Sequence, residues 1–351
     1  MVEYIKEQEK GVSNVLLTDR RYFENVMCAI GRTMLLFLLF CNLYDLGIGF
    51  LDMALYFSVL TPVAYNVIYQ LICAAGYMLV FMLPVLFLHR FLHQFGCTVK
   101  PMALTPQLSP MLLPIVFAGI TVCFAMADIN ASIVDLFNYS NLTADTTVSA
   151  TVSMAPYEIV LDFIAISLVP AFCEEFLFRG AILTNLRPFG RTNAVLISAV
   201  LFALMHQNAG QFLYTFAAGI VLGLVYEYTD SIWSCVILHL FNNFISVVQN
   251  TVLAKYGESL YAASVLTLLD VLIYLLGAIS IGILVCRHFL KKKVAEDGVF
   301  EKTLSVSDSY AETPIHGRVV ARIFFRPSMI AFVILASVME VVSLLFYPHI
   351  F

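Results

Sequence analysis

Long apolar runs separated by short polar breaks occupy most of this chain from Met27 onward. At about 20 apolar residues per bilayer crossing, the runs predict spans near 27–44, 64–88, 110–127, 158–186, 193–207, 211–227, 231–250, 262–286 and 328–348. The region 46–63 is apolar too, but Asp45, Gly47, Gly49, Asp52 and Pro62 interrupt it, so it reads as a re-entrant or interfacial piece. The run 193–227 makes two spans only if both are short, and it divides at Asn208-Ala209-Gly210, the one turn signal there. The expected fold class is all-α: a polytopic transmembrane helical bundle of eight or nine spans.

Composition agrees. The 351 residues are 61% hydrophobic and only 12% charged, with a mean hydropathy of +0.89, where soluble domains carry about 25% charged residues. A soluble domain is excluded, the lipid bilayer is an expected partner, and nucleic acid is not. Residues 1–26 are mixed and polar without a short apolar core and cleavage site, so a cleavable signal peptide is not expected. The eight cysteines are scattered through apolar runs with no C-x-x-C pair and read as small core residues.

Charge sets an orientation. Lys6, Lys10, Arg20, Arg21 and Arg32, then Arg90 and Lys100, then Arg187 and Arg191, then the cluster from Arg287 to Arg326, all fall on one side of the predicted spans. That side is expected to be cytoplasmic, and the N-terminus with it. The opposite side carries a Ser/Thr/Asn-rich outer loop, 130–157, with sequons at Asn130, Asn138 and Asn141 that would be open to glycosylation in a eukaryote. The organisation expected is a cytoplasmic segment 1–26, N-terminal spans and outer loop 27–150, a core 151–252, and C-terminal spans 253–351 with a cytoplasmic loop 287–327.

Several residues do not belong in lipid. Glu174, Glu175, Arg179, His206, His239 and Asn243 all sit inside predicted spans, where a charge costs roughly 2.5–3.5 kcal/mol on insertion scales. Such groups read as a functional site. Counted from the cytoplasmic edge at about 1.5 Å per residue, Glu174, His206 and Asn243 each lie roughly 18–20 Å deep. Three helices therefore deliver polar groups to one layer. Within helices, Phe202 and His206 share a face, as do His239 and Asn243, and Glu175 and Arg179 stand at the favourable ion-pair spacing. Glu174 lies about 100° round from Glu175, so Glu175 is expected to neutralise Arg179 while Glu174 stays available for chemistry. Pro170 removes a helix N–H and should free the carbonyl near Ile166 and kink the helix.

These residue types permit hydrolysis. A carboxylate withdrawn from bulk water is a stronger proton acceptor than one in solution, an imidazole can orient the same water, and His239 with the Asn243 amide can hold an oxyanion. Cys173 adjoins Glu174, which disfavours its thiolate, so no nucleophilic Cys or Ser is evident. A zinc or other divalent site on Glu174, His206 and His239 is the alternative, although H-E-x-x-H spacing is absent. No cofactor is otherwise expected. Gly219 and Gly223 read as a helix-packing seam, Asp162, Asp270 and Glu340 as polar residues without a catalytic part, and Lys291–Lys293 as a topology anchor.

Cys173-Glu174-Glu175-Phe176-Leu177-Phe178-Arg179-Gly180 resembles the Glu-Glu-x-x-x-Arg motif of the CPBP family, the CAAX-processing and bacteriocin-processing intramembrane proteases also called Abi. Phe202-Ala203-Leu204-Met205-His206 resembles its Phe-x-x-x-His motif and His239-Leu240-Phe241-Asn242-Asn243 its His-x-x-x-Asn motif, in the family's order, within about 153–250. The resemblance implies an endopeptidase of the Ras-converting CAAX protease type, acting on a lipidated or membrane-associated peptide. Carried over, Glu174 and His206 activate water, His239 and Asn243 form the oxyanion hole, and Glu175, Arg179 and Phe202 support them. The family has been described as metalloproteases, and some members read as bacteriocin-immunity proteins, so a non-proteolytic membrane partner is the alternative. A proton-coupled transporter would call for an inverted repeat between the halves, which the sequence lacks. The expected location is a bacterial plasma membrane in preference to the endoplasmic reticulum.

Overall fold

The apolar runs fold as helices whose ends fall at the polar breaks. The computed structural model describes residues 2–58, 60–106, 110–138, 155–208, 210–257, 259–296 and 326–346, and no strand occurs among them. In chain order the helices are α1 (Val2–Tyr56), α2 (Pro62–Gln94), α3 (Leu112–Asn138), α4 (156–186), α5 (Arg191–Met205), α6 (Phe212–Thr229), α7 (Ile232–Tyr256), α8 (Leu260–Glu296) and α9 (Pro327–Phe346). Six of the described helices, α1–α3 and α6–α8, are long and apolar enough to cross a membrane, and α5 and α9 contribute shorter apolar segments. This is a polytopic helical bundle. The outer-loop residue Asn141, residues 297–325 of the C-terminal loop, and the side chains of Asn138, Lys291–Lys293 and Glu340 lie outside the described residues.

Two features differ from the sequence reading. The segment 46–56 is no re-entrant piece: α1 continues unbroken through Asp45, Gly47, Gly49 and Asp52 to Tyr56. Each isolated Gly or Asp costs a helix about 1 kcal/mol or less, too little to stop it in an otherwise apolar run. The break falls instead before Pro62, where Thr61 caps α2 by accepting from the Ala64 N–H at 3.3 Å, and the Tyr65 hydroxyl bonds Asp52 across the turn. Asn130 is also not an open sequon. Its side chain is 9% exposed, donates to the Gly210 carbonyl at 2.5 Å and accepts from the Tyr214 N–H at 3.4 Å, tying α3 to the start of α6. α5 and α6 part where the sequence divides them: Gln207 takes φ 50°, and Asn208 Oδ1 accepts from the Gly210 N–H at 2.9 Å.

α4 is the central helix, packed against α2, α5, α6 and α7, while α1 pairs with α2 and α9, and α3 with α6, α7 and α8. Small residues set the closest approach. A Cβ on Gly219 would stand 2.9 Å from Ala199 Cα, and one on Gly223 2.9 Å from a Val195 methyl, so the α6 seam packs against α5 with backbone nearly in contact. Arg187 locks the end of α4 to that of α6. Its guanidinium donates to Glu227 at 2.7 Å and Asp230 at 2.6 Å, and lies 4.2 Å over the Tyr226 ring. The α2–α3 connector is pinned across the same end, with Lys100 N–H on Asn185 Oδ1 at 3.0 Å and Ile232 N–H on the Ala103 carbonyl at 3.0 Å. All eight cysteines are free.

Candidate active site

α4 is not a uniform α-helix. α-Helical turns at Pro156–Asp162, Val169–Glu175 and Thr184–Leu186 are separated by π-helical stretches at Phe163–Leu168 and Phe176–Leu183. Pro170 explains the first. Without its N–H the Ile166 carbonyl loses its helical donor, and the chain widens there, the Val169 N–H reaching back to Ile164. The freed carbonyl is taken by α7, whose Asn243 amide donates to Ile166 at 3.2 Å. Carbonyls of the second stretch are capped by side chains: Ser198 donates to Phe178 at 3.1 Å and Thr184 to Arg179 at 2.9 Å. The short α-helical segment bearing Glu174 and Glu175 is thus held between two widened turns, a recurrent feature of functional sites.

Glu174 and Glu175 point to different neighbours, as their angular offset requires. Glu175 and Arg179 are fully buried and paired, with Arg179 Nη1 on Glu175 Oε1 at 2.8 Å. The guanidinium also donates from Nη2 to the Gly219 carbonyl at 3.2 Å and rests 4.5 Å from the centre of the Phe202 ring. The pairing is wider than the sequence reading allowed, because His239 Nδ1 engages the same Glu175 oxygen at 2.8 Å. A carboxylate already facing an arginine accepts, so His239 carries its hydrogen on Nδ1. His239 Nε2 then lies 3.9 Å from Glu174 Oε2.

Glu174 is 4% exposed. Its Oε1 accepts from the Tyr77 hydroxyl of α2 at 2.6 Å, whereas Oε2 is buried with no hydrogen-bond partner among the described residues. His206 is the C-cap of α5, one residue beyond its last helical turn. Its Nδ1 bonds the Phe202 carbonyl at 2.8 Å; a carbonyl only accepts, so this ring also holds its hydrogen on Nδ1 and leaves a lone pair on Nε2. Phe202 stands edge-on to both imidazoles, with centroids 5.0 Å from His206 and 6.1 Å from His239.

Glu174, His206, His239 and Asn243 line one cavity of about 80 Å³, together with Phe202, Tyr214, Asn242 and the apolar side chains of α3, α6 and α7. Glu174, His206 and Asn243, expected to share a layer, and His239 with them, therefore meet around a single small space, with Glu175 and Arg179 beside them. Among the described residues no three His, Cys, Asp or Glu side chains are gathered as a metal-binding group. Asp162 and Asp270 lie elsewhere, bonded by Gln70 and Gln249 at 3.5 and 3.4 Å.

Sequence reasoning missed Tyr77, Tyr214 and Asn242. Asn242 donates to the Tyr214 hydroxyl at 2.6 Å and to Asn243 Oδ1 at 3.3 Å. A tyrosine within an apolar run carries no signal that separates a site residue from an interfacial one; Asn242, a second amide beside Asn243 in the membrane, was the one legible hint.

Residues 156–245, from the start of α4 to the middle of α7, match a family model described as type II CAAX prenyl endopeptidase Rce1-like. No curated protein and no solved structure matches the chain. The match covers most of the segment that builds the cavity and carries its paired glutamates, both histidines and Asn243, so this part of the chain is similar to the Rce1-like type II CAAX prenyl endopeptidases.

Proposed function

We propose that this protein is an intramembrane endopeptidase that hydrolyses a peptide bond of a lipidated, CAAX-like or membrane-associated substrate with water activated at Glu174. One observation carries the reading: the buried, unpartnered Oε2 of Glu174 faces His239 Nε2 across 3.9 Å in a cavity also lined by His206 and Asn243. That separation is too long for a direct hydrogen bond, so Oε2 is left to bond a water. Tyr77 holds Oε1, so Oε2 is the oxygen free to take the proton. The lone pair on His206 Nε2 accepts the water's other hydrogen and orients its oxygen. The hydroxide oxygen adds to the carbonyl carbon, the π electrons move onto the carbonyl oxygen, and Asn243 offers that oxygen its second amide hydrogen. When the adduct collapses, the carbon–nitrogen bond breaks and the proton on Glu174 passes to the leaving amine. A resident metal is not part of this sequence of steps.

The test is cleavage by purified protein in nanodiscs, using a farnesylated peptide ending in a CAAX sequence, for wild type and Glu174→Gln. Wild type is expected to cleave and E174Q to lose roughly 10³-fold or more in rate. Undiminished cleavage by E174Q overturns the mechanism. Binding without cleavage by wild type favours a non-proteolytic membrane partner instead.

A further inference from the structure

The cavity is short of hydrogen-bond donors for the oxyanion this chemistry creates. His206 and His239 have their Nδ1 hydrogens on the Phe202 carbonyl and on Glu175, so His239 can donate from Nε2 only as the imidazolium. Asn243 has one amide hydrogen on the Ile166 carbonyl, leaving one. Asn242 directs its amide to Tyr214 and to Asn243 Oδ1. Thr215 lines the cavity but donates back to its own helix, at Gln211 or Phe212. Cys123 offers only a thiol, a weak donor.

Tyr214 is different. Its hydroxyl oxygen accepts from Asn242 Nδ2 at 2.6 Å, which leaves the phenolic hydrogen to be given elsewhere, and the side chain lines the same cavity as the α4 carboxylate of Glu174. Accepting a short hydrogen bond strengthens a hydroxyl as a donor. The residue is also fixed from behind, because its backbone N–H bonds Asn130 of α3, outside the family match. We infer that Tyr214 is a catalytic residue of this site, its hydroxyl donating to the oxyanion beside Asn243. The inference rests on the proposed hydrolysis. In the step concerned, Glu174 removes the water proton, the carbonyl π electrons become the oxyanion, and Tyr214 stabilises that charge while keeping its own proton.

The experiment compares wild type, E174Q, Tyr214→Phe and protein carrying 3-fluorotyrosine site-specifically at 214, in the same farnesylated-peptide assay. A peptidyl trifluoromethyl ketone, whose hydrate resembles the adduct, is titrated against each. Tyr214→Phe is expected to lower kcat about 10²-fold, the order found for removing one oxyanion donor, with KM within about twofold and ketone affinity reduced in step. Fluorotyrosine, which folds as tyrosine but donates more strongly, is expected to shift kcat away from wild type. Wild-type kcat in Y214F beside an inactive E174Q overturns this inference alone. Loss in Y214F with kcat unmoved by fluorotyrosine assigns Tyr214 a structural part and also overturns it. Equal activity of wild type and E174Q, or none in either, overturns both readings.

Discussion

His239 and Glu175, on α7 and α4, are joined by a buried 2.8 Å bond between Nδ1 and Oε1. This bond decides which tautomer His239 adopts and aims Nε2 at Glu174. Arg179 shares the same oxygen at 2.8 Å, so the second glutamate is an orienting centre for an imidazole as well as the partner of an arginine. Outer partners of this kind fix ring orientation and proton position in many active sites.

That shared oxygen predicts a non-additive pair of substitutions. Arg179→Met leaves Glu175 charged and buried, and is expected to lower unfolding free energy by about 3–5 kcal/mol. Adding Glu175→Gln should recover part of the stability, because no uncompensated charge then remains. Activity should not return with it, since His239 has lost the charged acceptor that holds its Nδ1 hydrogen. Thermal melts of the single and double variants in one detergent, read beside peptide cleavage, check both halves; recovery of activity along with stability would refute the orienting part assigned to Glu175.

Tyr77→Phe is expected to separate kcat from KM. Among the described residues the hydroxyl's hydrogen bond goes to the carboxylate oxygen opposite the one proposed to take the proton, so its loss should loosen Glu174 without altering how a peptide binds. A fall in kcat of roughly tenfold with KM nearly unchanged is the expected outcome, consistent with the usual worth of a hydrogen bond to a charged group. Steady-state kinetics on the farnesylated peptide decide it.

Asn243→Ala should be felt in the helix it faces. With the amide gone, the Ile166 carbonyl loses its hydrogen bond inside a π-helical stretch where Pro170 supplies none. Amide hydrogen exchange across 163–169 is expected to accelerate by about tenfold, corresponding to about 1.4 kcal/mol of local stability. The exchange of α5 should stay as in wild type. Unchanged protection over 163–169 would show that Asn243 does not brace α4.

Much of this was legible in the residues. Their apolar runs placed the helices, because span length is a local property of composition and the bilayer sets the yardstick. The positions of Glu174, His206, His239 and Asn243 stood out since an ionisable or amide group at that depth carries a large cost wherever its neighbours lie. Pro170 even marked the carbonyl that would be left bare, at Ile166. The apolar piece at 46–56 continues α1 because each isolated Gly or Asp costs a helix about 1 kcal/mol or less, too little to end it in an otherwise apolar run.

The sequence by itself determined the class of fold, the family model that residues 156–245 match and the set of polar side chains that had to find partners inside the bundle. It could not say which partners. Tyr77 meets Glu174 across 97 positions and Asn130 meets Gly210 across 80, while Asn243 turns its amide to Ile166 and Glu175 serves a guanidinium and an imidazole at one oxygen. Such pairings depend on the rotation and close approach of whole helices, set by contacts such as Gly219 against Ala199. Those are properties of packing between elements, and no local pattern encodes them.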